Sequence, residues 1–210
     1  MNKRNLISKI GLAALVLIDG RMLPGAPAAA APSATWESVR AAYQLARDRT
    51  ETADVDRALD MTDGFLAAHP GDGRAMTYRG SLAAMRARVS WMPWKKLGML
   101  HEGISQMDEG VARVIKAGSD LELEVRLVRG TTSANIPSAF GRGGVAISDF
   151  KAVVRHPRFA ELSPEHRATA LAWLAAMSRR QGQEAEAERL QHEAEAIDPA
   201  AARKVKEQDA

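Results

Sequence analysis

LAWLAAMSRRQGQEAEAERLQHEAEAIDP, residues 171–199, is the stretch whose reading decides the fold. Leu171, Leu174 and Ala175 recur at the three-and-four spacing of a helix that buries one face. Gly182 interrupts that pattern. Ala187 and Ala194 then mark a second helix, which Pro199 ends. Small side chains at Ala175, Ala187 and Ala194 allow two antiparallel helices to approach closely, and Leu171 and Leu174 fill the seam between them. Upstream, Ser163-Pro164-Glu165 is a helix start: a capping hydroxyl, a proline at the first helical position and an acid in the first turn. Downstream, AAARKVKEQDA predicts a short helical or frayed tail.

The same alternation of helix and terminator runs back to Thr35. Trp36, Val39, Ala42, Leu45 and Ala46 line one face of a first helix over 35–48, with Thr35 as its cap and Glu37 in its first turn. Thr52 is expected to cap a second helix through Val55, Leu59 and Leu66, which His69-Pro70-Gly71-Asp72-Gly73 ends. A third helix over 74–89 holds Gly80 in its interior. Glycine there costs about 1 kcal/mol relative to alanine, so a close crossing with a neighbour is expected. Ser90-Trp91-Met92-Pro93 breaks the pattern. A long fourth helix over 94–116 follows, with Leu97, Leu100, Ile104, Met107, Val111 and Ile115 on one stripe. Asp120 is expected to cap a fifth helix carrying Leu121 to Gly130. Alternation at Leu121–Val125 also fits a short strand, but the helical neighbours favour helix. Ser133 to Gly144 reads as a loop, and a sixth helix spans 145–155 before His156-Pro157. The expectation is an all-α chain of eight helices in four antiparallel pairs, forming one domain over 34–207.

The stretch 171–199 resembles one tetratricopeptide repeat. Leu171, Leu174, Ala175 and Ser178 stand where that family has Trp, Leu, Gly and Tyr, and Gly182, Ala187, Ala194 and Pro199 follow in its order. Ser178 and Gln191 replace aromatics, which makes the copy degenerate. Residues 39–70 resemble a second, weaker copy: Pro70 follows Ala58 at the interval that separates Pro199 from Ala187, with Phe65 in the place of Ala194. The inner repeats exceed the family's period of about 34 residues and so carry insertions. The chain also resembles bacterial exported proteins with degenerate repeats that carry MPWKKL, LELEVRLVRG and a Pro-Gly loop. These resemblances imply a short right-handed solenoid of stacked hairpins whose first-of-pair helices line a concave binding face.

Charge and composition exclude several function classes. The 29 basic and 26 acidic residues leave a net charge of +3, but Lys3, Arg4, Lys9 and Arg21 all fall before residue 32, against Asp19 alone. The remainder is neutral, so nothing supports an electrostatic nucleic-acid binder. The absence of cysteine excludes disulfides and thiolate chemistry. Lys3, Arg4 and Lys9, then the apolar run Ile10–Ile18, then the Ala-rich stretch up to Ala31, read as a signal peptide over 1–31. That run is too short to span a bilayer, which needs about 20 apolar residues. Export to the periplasm or beyond is expected; the alternative is a cytoplasmic protein with an Ala/Pro-rich N-terminus.

No residue pattern here carries catalysis or metal binding. His69, His101, His156, His166 and His192 form no His-Glu-x-x-His pair, and no serine sits in a Gly-x-Ser-x-Gly elbow. Gly141-Arg142-Gly143-Gly144 lacks the strand before it and the Gly-Lys-Ser/Thr after it that a phosphate loop needs. No cofactor is expected. Trp91, Met92, Trp94, Lys95 and Lys96 stand out in a chain only 5% aromatic. The first reading of the two tryptophans is a plug for the gap opened by the long turn; a partner hot spot comes second and contact with membrane headgroups third. Arg126 and Arg129 are expected on the concave face, and Asp149 is expected to lock them as an interhelical ion pair.

Those residues lead to a non-enzymatic scaffold that binds a protein or peptide through Trp91, Met92, Trp94, Lys95, Lys96, Arg126 and Arg129. The alternative is a small enzyme or accessory subunit acting on an anionic molecule at Arg126, Arg129 and Asp149. An open cleft at Asp149 would favour the alternative; a closed pair would not.

Overall fold

Local signals set the ends of most helices. The computed structural model describes residues 34–209, and the expected signal peptide at 1–31 lies outside them. Among the described residues there are nine α-helices, two 3-10 turns and no strand: α1 (Trp36–Arg49), α2 (Thr52–Ala68), α3 (Gly73–Val89), α4 (Pro93–Lys116), α5 (Glu122–Ala134), α6 (Gly143–Val154), α7 (Pro164–Arg180), α8 (Glu184–Ile197) and α9 (Pro199–Asp209). Thr35 and Ser163 accept the expected capping bonds, from the Ser38 and His166 amides at 3.3 Å each. Asp72 caps α3 by accepting from the Ala75 amide at 2.9 Å. Gly182 takes the left-handed conformation between α7 and α8, where a side chain would be strained.

Two expected caps are corrected. Thr52 is already helical, and Glu51 precedes it without a side-chain bond. Leu121, not Asp120, holds the cap position of α5, and Asp120 instead receives Arg158 Nη1 at 2.5 Å. The strand alternative at Leu121–Val125 is likewise overturned by helix α5.

Four antiparallel hairpins, α1–α2, α3–α4, α5–α6 and α7–α8, follow one another as expected. The odd-numbered helices also pack side by side, α1 on α3, α3 on α5, α5 on α7 and α7 on α9. They form an inner layer, with the even-numbered helices on the outside. The ninth helix is the main addition to the sequence reading. Ala201, Ala202 and Val205 are buried in the same apolar cluster as Leu171 and Trp173, so the tail is a packed element rather than a frayed end. Lys204 Nζ on α9 reaches Asp48 on α1 at 3.1 Å, linking the last helix to the first.

Backbone proximity is greatest between α3 and α4. A Cβ on Gly80 would lie 2.5 Å from the Gly103 carbonyl oxygen, and one on Gly110 would lie 2.5 Å from the Gly73 carbonyl oxygen. The glycines repeat every seven residues on both helices, so two antiparallel stripes meet at two levels. The close crossing expected from Gly80 is therefore present, and its partners are Gly103 and Met107. The remaining core is thin and rich in alanine, as the composition implies. Four aromatics gather where α1, α2 and α3 meet: Trp36 lies edge-on to Phe65 and Tyr78 at 5.8 and 5.0 Å, and Tyr43 meets Tyr78 at 4.5 Å.

Gly80→Ala is expected to destabilise the protein by about 1–3 kcal/mol, because backbone atoms must move to admit the methyl group. Gly64→Ala, where a Cβ meets nothing within 4 Å, should instead gain up to ~1 kcal/mol. Urea unfolding of both variants checks this; equal shifts would contradict the backbone contact.

Candidate functional site

Arg126 and Arg129 occupy one face of α5 with Glu122, at the i, i+4, i+7 spacing. That face turns toward α4 and α6. Arg129 donates to Asp149 through Nε and Nη2 at 2.8 Å each, and to Asp108 through Nη1 at 3.2 Å. Arg126 donates to Asp149 at 3.0 Å and to Glu122 at 2.7 Å. Arg142, just ahead of α6, grips Asp108 with two bonds at 2.9 and 2.7 Å. The six side chains alternate in sign along one chain, Glu122–Arg126–Asp149–Arg129–Asp108–Arg142, and their charges balance.

Gly130 makes this arrangement possible. A Cβ there would press on the Phe150 ring at 3.1 Å and on Asp149 Cβ at 3.3 Å, so its absence lets α6 come close enough to deliver the carboxylate. Phe150 in turn is fully buried against Trp173, their rings parallel at 6.4 Å. The Asp149 side chain is 0% exposed, and those of Arg126 and Arg129 are 16% and 15% exposed. Burial opposes the Arg129 charge, but Asp149 and Asp108 outweigh it and hold its pKa above the ordinary value. The geometry is a closed interhelical lock, as expected for Asp149. The placement of Arg126 and Arg129 on a concave face is corrected: they point into the α4–α5–α6 seam. Asp108 and Arg142, two further members of the lock, carry no local sequence signal beyond their charge.

The opposite face of α5 belongs to the inner layer. Glu124 accepts from the Tyr78 hydroxyl at 2.6 Å, and Thr132 joins Ser81 at 2.7 Å, which joins Tyr43 at 3.0 Å. These bonds tie α1, α3 and α5 together through buried hydroxyls. Burial raises the pKa of the Tyr43 hydroxyl and pushes that of Tyr78 well above the ordinary tyrosine range, with Glu124 adding to the effect at Tyr78. His166 on α7 lies in the field of Arg40 and Arg47 of α1 and of Glu124 and Glu165; burial is the largest influence and lowers its pKa.

The other sequence-singled residues lie at the start of α4. Trp91 is 83% exposed and Trp94 69% exposed, which overturns the core-plug reading of both. Leu97, expected on the buried stripe, is 49% exposed, while Leu100, Met107 and Val111 on the same helix are buried. Ile115 and Leu45 are also more exposed than the stripe readings imply. Lys95 and Lys96 are exposed beside the tryptophans, and Met92 is half-buried. Met92 adopts the extended conformation that a following proline imposes, and α4 begins without a side-chain cap or a first-turn acid. The structure thus separates the expected partner residues into two groups. Asp108, which Arg129 touches, lies on α4 about 20 Å along the helix axis from Trp94.

Among the described residues no three His, Asp or Glu side chains converge as a metal site, and no helix is long and apolar enough to cross a membrane. No family model, curated protein or solved structure matches the chain. What the geometry defines is a class: an all-α stack of helical hairpins with a closed charge lock inside and an aromatic, basic tip outside.

Asp149→Ala is expected to cost about 3–5 kcal/mol by leaving two inward-facing arginines without their carboxylate. Arg113→Ala, removing an exposed i,i+4 pair with Glu109, should cost under ~0.5 kcal/mol. Denaturant midpoints distinguish the two, and a mild Asp149→Ala would show that the lock contributes little. For His166 the depressed folded pKa means its stabilising contribution is present above the unfolded value of 6.5 and is lost as pH falls through the folded value. Unfolding midpoints at about pH 7.5 and 5.5 should therefore fall further for the wild type than for His166→Gln.

Proposed function

We propose that this chain is an exported, non-enzymatic scaffold of the tetratricopeptide-repeat kind that binds a protein or peptide partner in the periplasm. One observation carries the reading: in a chain with four tryptophans, Trp91 and Trp94 stand in solvent on a helix start, while the core is filled without them. Exposed tryptophans are costly in water and are enriched at the centres of protein interfaces. The proposed docking surface consists of Trp91, Met92, Trp94, Lys95 and Lys96, and the exposure of Leu97 beside them supports including it. Arg126 and Arg129 leave the binding set, because Asp149, Asp108 and Glu122 already take their donors. The charged N-terminal segment with its nine-residue apolar run supports export.

The small-anion alternative loses its main support with the same geometry. An anion would have to displace Asp149, which is buried and accepts three hydrogen bonds from Arg126 and Arg129.

The test is in-cell crosslinking of the chain with a photo-crosslinking amino acid in place of Trp91, and the same probe in place of exposed Glu188 on α8 as control. A specific protein adduct from position 91 alone, on a chain whose N-terminus falls after the Ala-rich stretch, is the expected result. Absence of a protein adduct, or identical adducts from both positions, would reject the scaffold reading. An N-terminus still at Met1 would reject export.

A further inference from the structure

Resting on that reading, the geometry points to the partner's chemistry: we propose that the start of α4 docks an acidic amphipathic helix, seated along Trp94, Leu97, Gly98 and His101. These residues follow the i, i+3, i+4, i+7 pattern of one helix face, and all four are exposed. Farther along α4 the inward stripe is covered by α3; this outward stripe stays exposed, with the Phe140 ring edge-on to His101 at 6.1 Å closing its far end.

Gly98 distinguishes a helix from other occupants. A Cβ there would meet nothing within 4 Å, so no contact inside the chain requires glycine at this exposed helical position. On the same helix Gly103 and Gly110 serve a known purpose, admitting the α3 backbone to a distance no side chain tolerates. Gly98 offers the same notch on the outward face, flanked by two large apolar side chains. Gly64 on α2 is also open, but its neighbours Asp60, Asp63 and Ala67 give it no apolar frame. A fluid lipid headgroup layer needs no such notch; a partner backbone does.

Charge sets the sign of the occupant. Residues 86–101 contain Arg86, Arg88, Lys95 and Lys96 and no Asp or Glu, although the chain holds 26 acidic residues. Arg86 is paired with Asp56, which leaves Arg88, Lys95 and Lys96 exposed and without a carboxylate partner among the described residues. The adjoining stretch 133–148 packs on α4 through Ile136 and Phe140 and also lacks any acid until Asp149. Two lysines in the first turn sit at the positive end of the α4 dipole, which further favours incoming carboxylates. The same basic rim argues against a second copy of this tip as occupant, since like charges would face each other.

The experiment uses the photo-crosslinker at position 91 of the full-length chain, with Lys95→Glu/Lys96→Glu and Gly98→Ala introduced separately. The proposal expects the protein adduct to fall at least tenfold in both variants, and the crosslinked partner peptide to carry Asp or Glu at helical spacing. Gly98→Ala should also raise the melting temperature, since alanine favours the helix and touches nothing, so lost crosslinking cannot be lost folding. A protein adduct that survives charge reversal, or that maps to a basic or non-helical segment, overturns this inference and leaves the scaffold reading standing. An adduct to lipid, or co-sedimentation of the purified chain with phosphatidylglycerol vesicles that Trp94→Ala abolishes, assigns the tip to a membrane surface instead. No adduct at all overturns both.

Discussion

Contact of backbone against backbone between α3 and α4 is the constraint on which the rest of this structure depends. Two glycines on each helix, seven residues apart, remove the side chains that would otherwise hold the axes at the usual 8–10 Å. Thr77 Oγ1, 2.5 Å from where a Gly110 Cβ would sit, stays buried by bonding back to the Gly73 carbonyl at 2.8 Å. The tight pair fixes where α5 can pack, because α5 touches both members. It also sets the position of Asp108, and through Asp108 the arginines of the lock.

The lock shows how a thin, alanine-rich core obtains specificity. Alanines pack closely but define register poorly, since one small side chain substitutes for another. Three arginines and three carboxylates shared among α4, α5, α6 and the turn before α6 pair in this register, with Arg142 Nε their one buried atom left without a partner, and a shift by one helical turn would strand the buried Asp149 charge. The buried hydroxyl chain Tyr43–Ser81–Thr132 does the same for α1, α3 and α5. One network ties outer helices to the inner layer, and the other ties inner helices to each other.

Much of the fold is legible in the sequence because it is written locally. Thr35 and Ser163 cap as their positions imply, Gly182 turns the chain, and Gly80 marks a crossing. The closed pairing of Asp149 with Arg126 and Arg129 is equally legible. The errors arise where tertiary contacts decide. A stripe of Leu97, Leu100, Ile104, Met107, Val111 and Ile115 looks uniform in sequence, yet α3 covers only its middle, leaving Leu97 and Ile115 in solvent. First-of-pair position alone points Arg126 and Arg129 to the inner face; which side of α5 they occupy depends on Gly130 and α6. Trp91 and Trp94 read in sequence as filler for a gap, yet Ala84, Ala87, Leu100, Ile136 and Phe140 pack there without them. For the tail after Pro199, three small apolar residues were too weak a signal to announce a packed helix.

The rigidity of the α3–α4 pair reaches beyond its own contact surface. A helix clamped along its backbone cannot bend to relieve load at its end, so the tip that carries Trp94 and Leu97 is held at a fixed angle before anything arrives. Under the proposed docking, little conformational entropy would be lost on this side of the contact, apart from a few side-chain torsions. The glycine crossing thus works as a stiff mount, and the proposed docking tip is an ordered helix start that a partner would meet already folded.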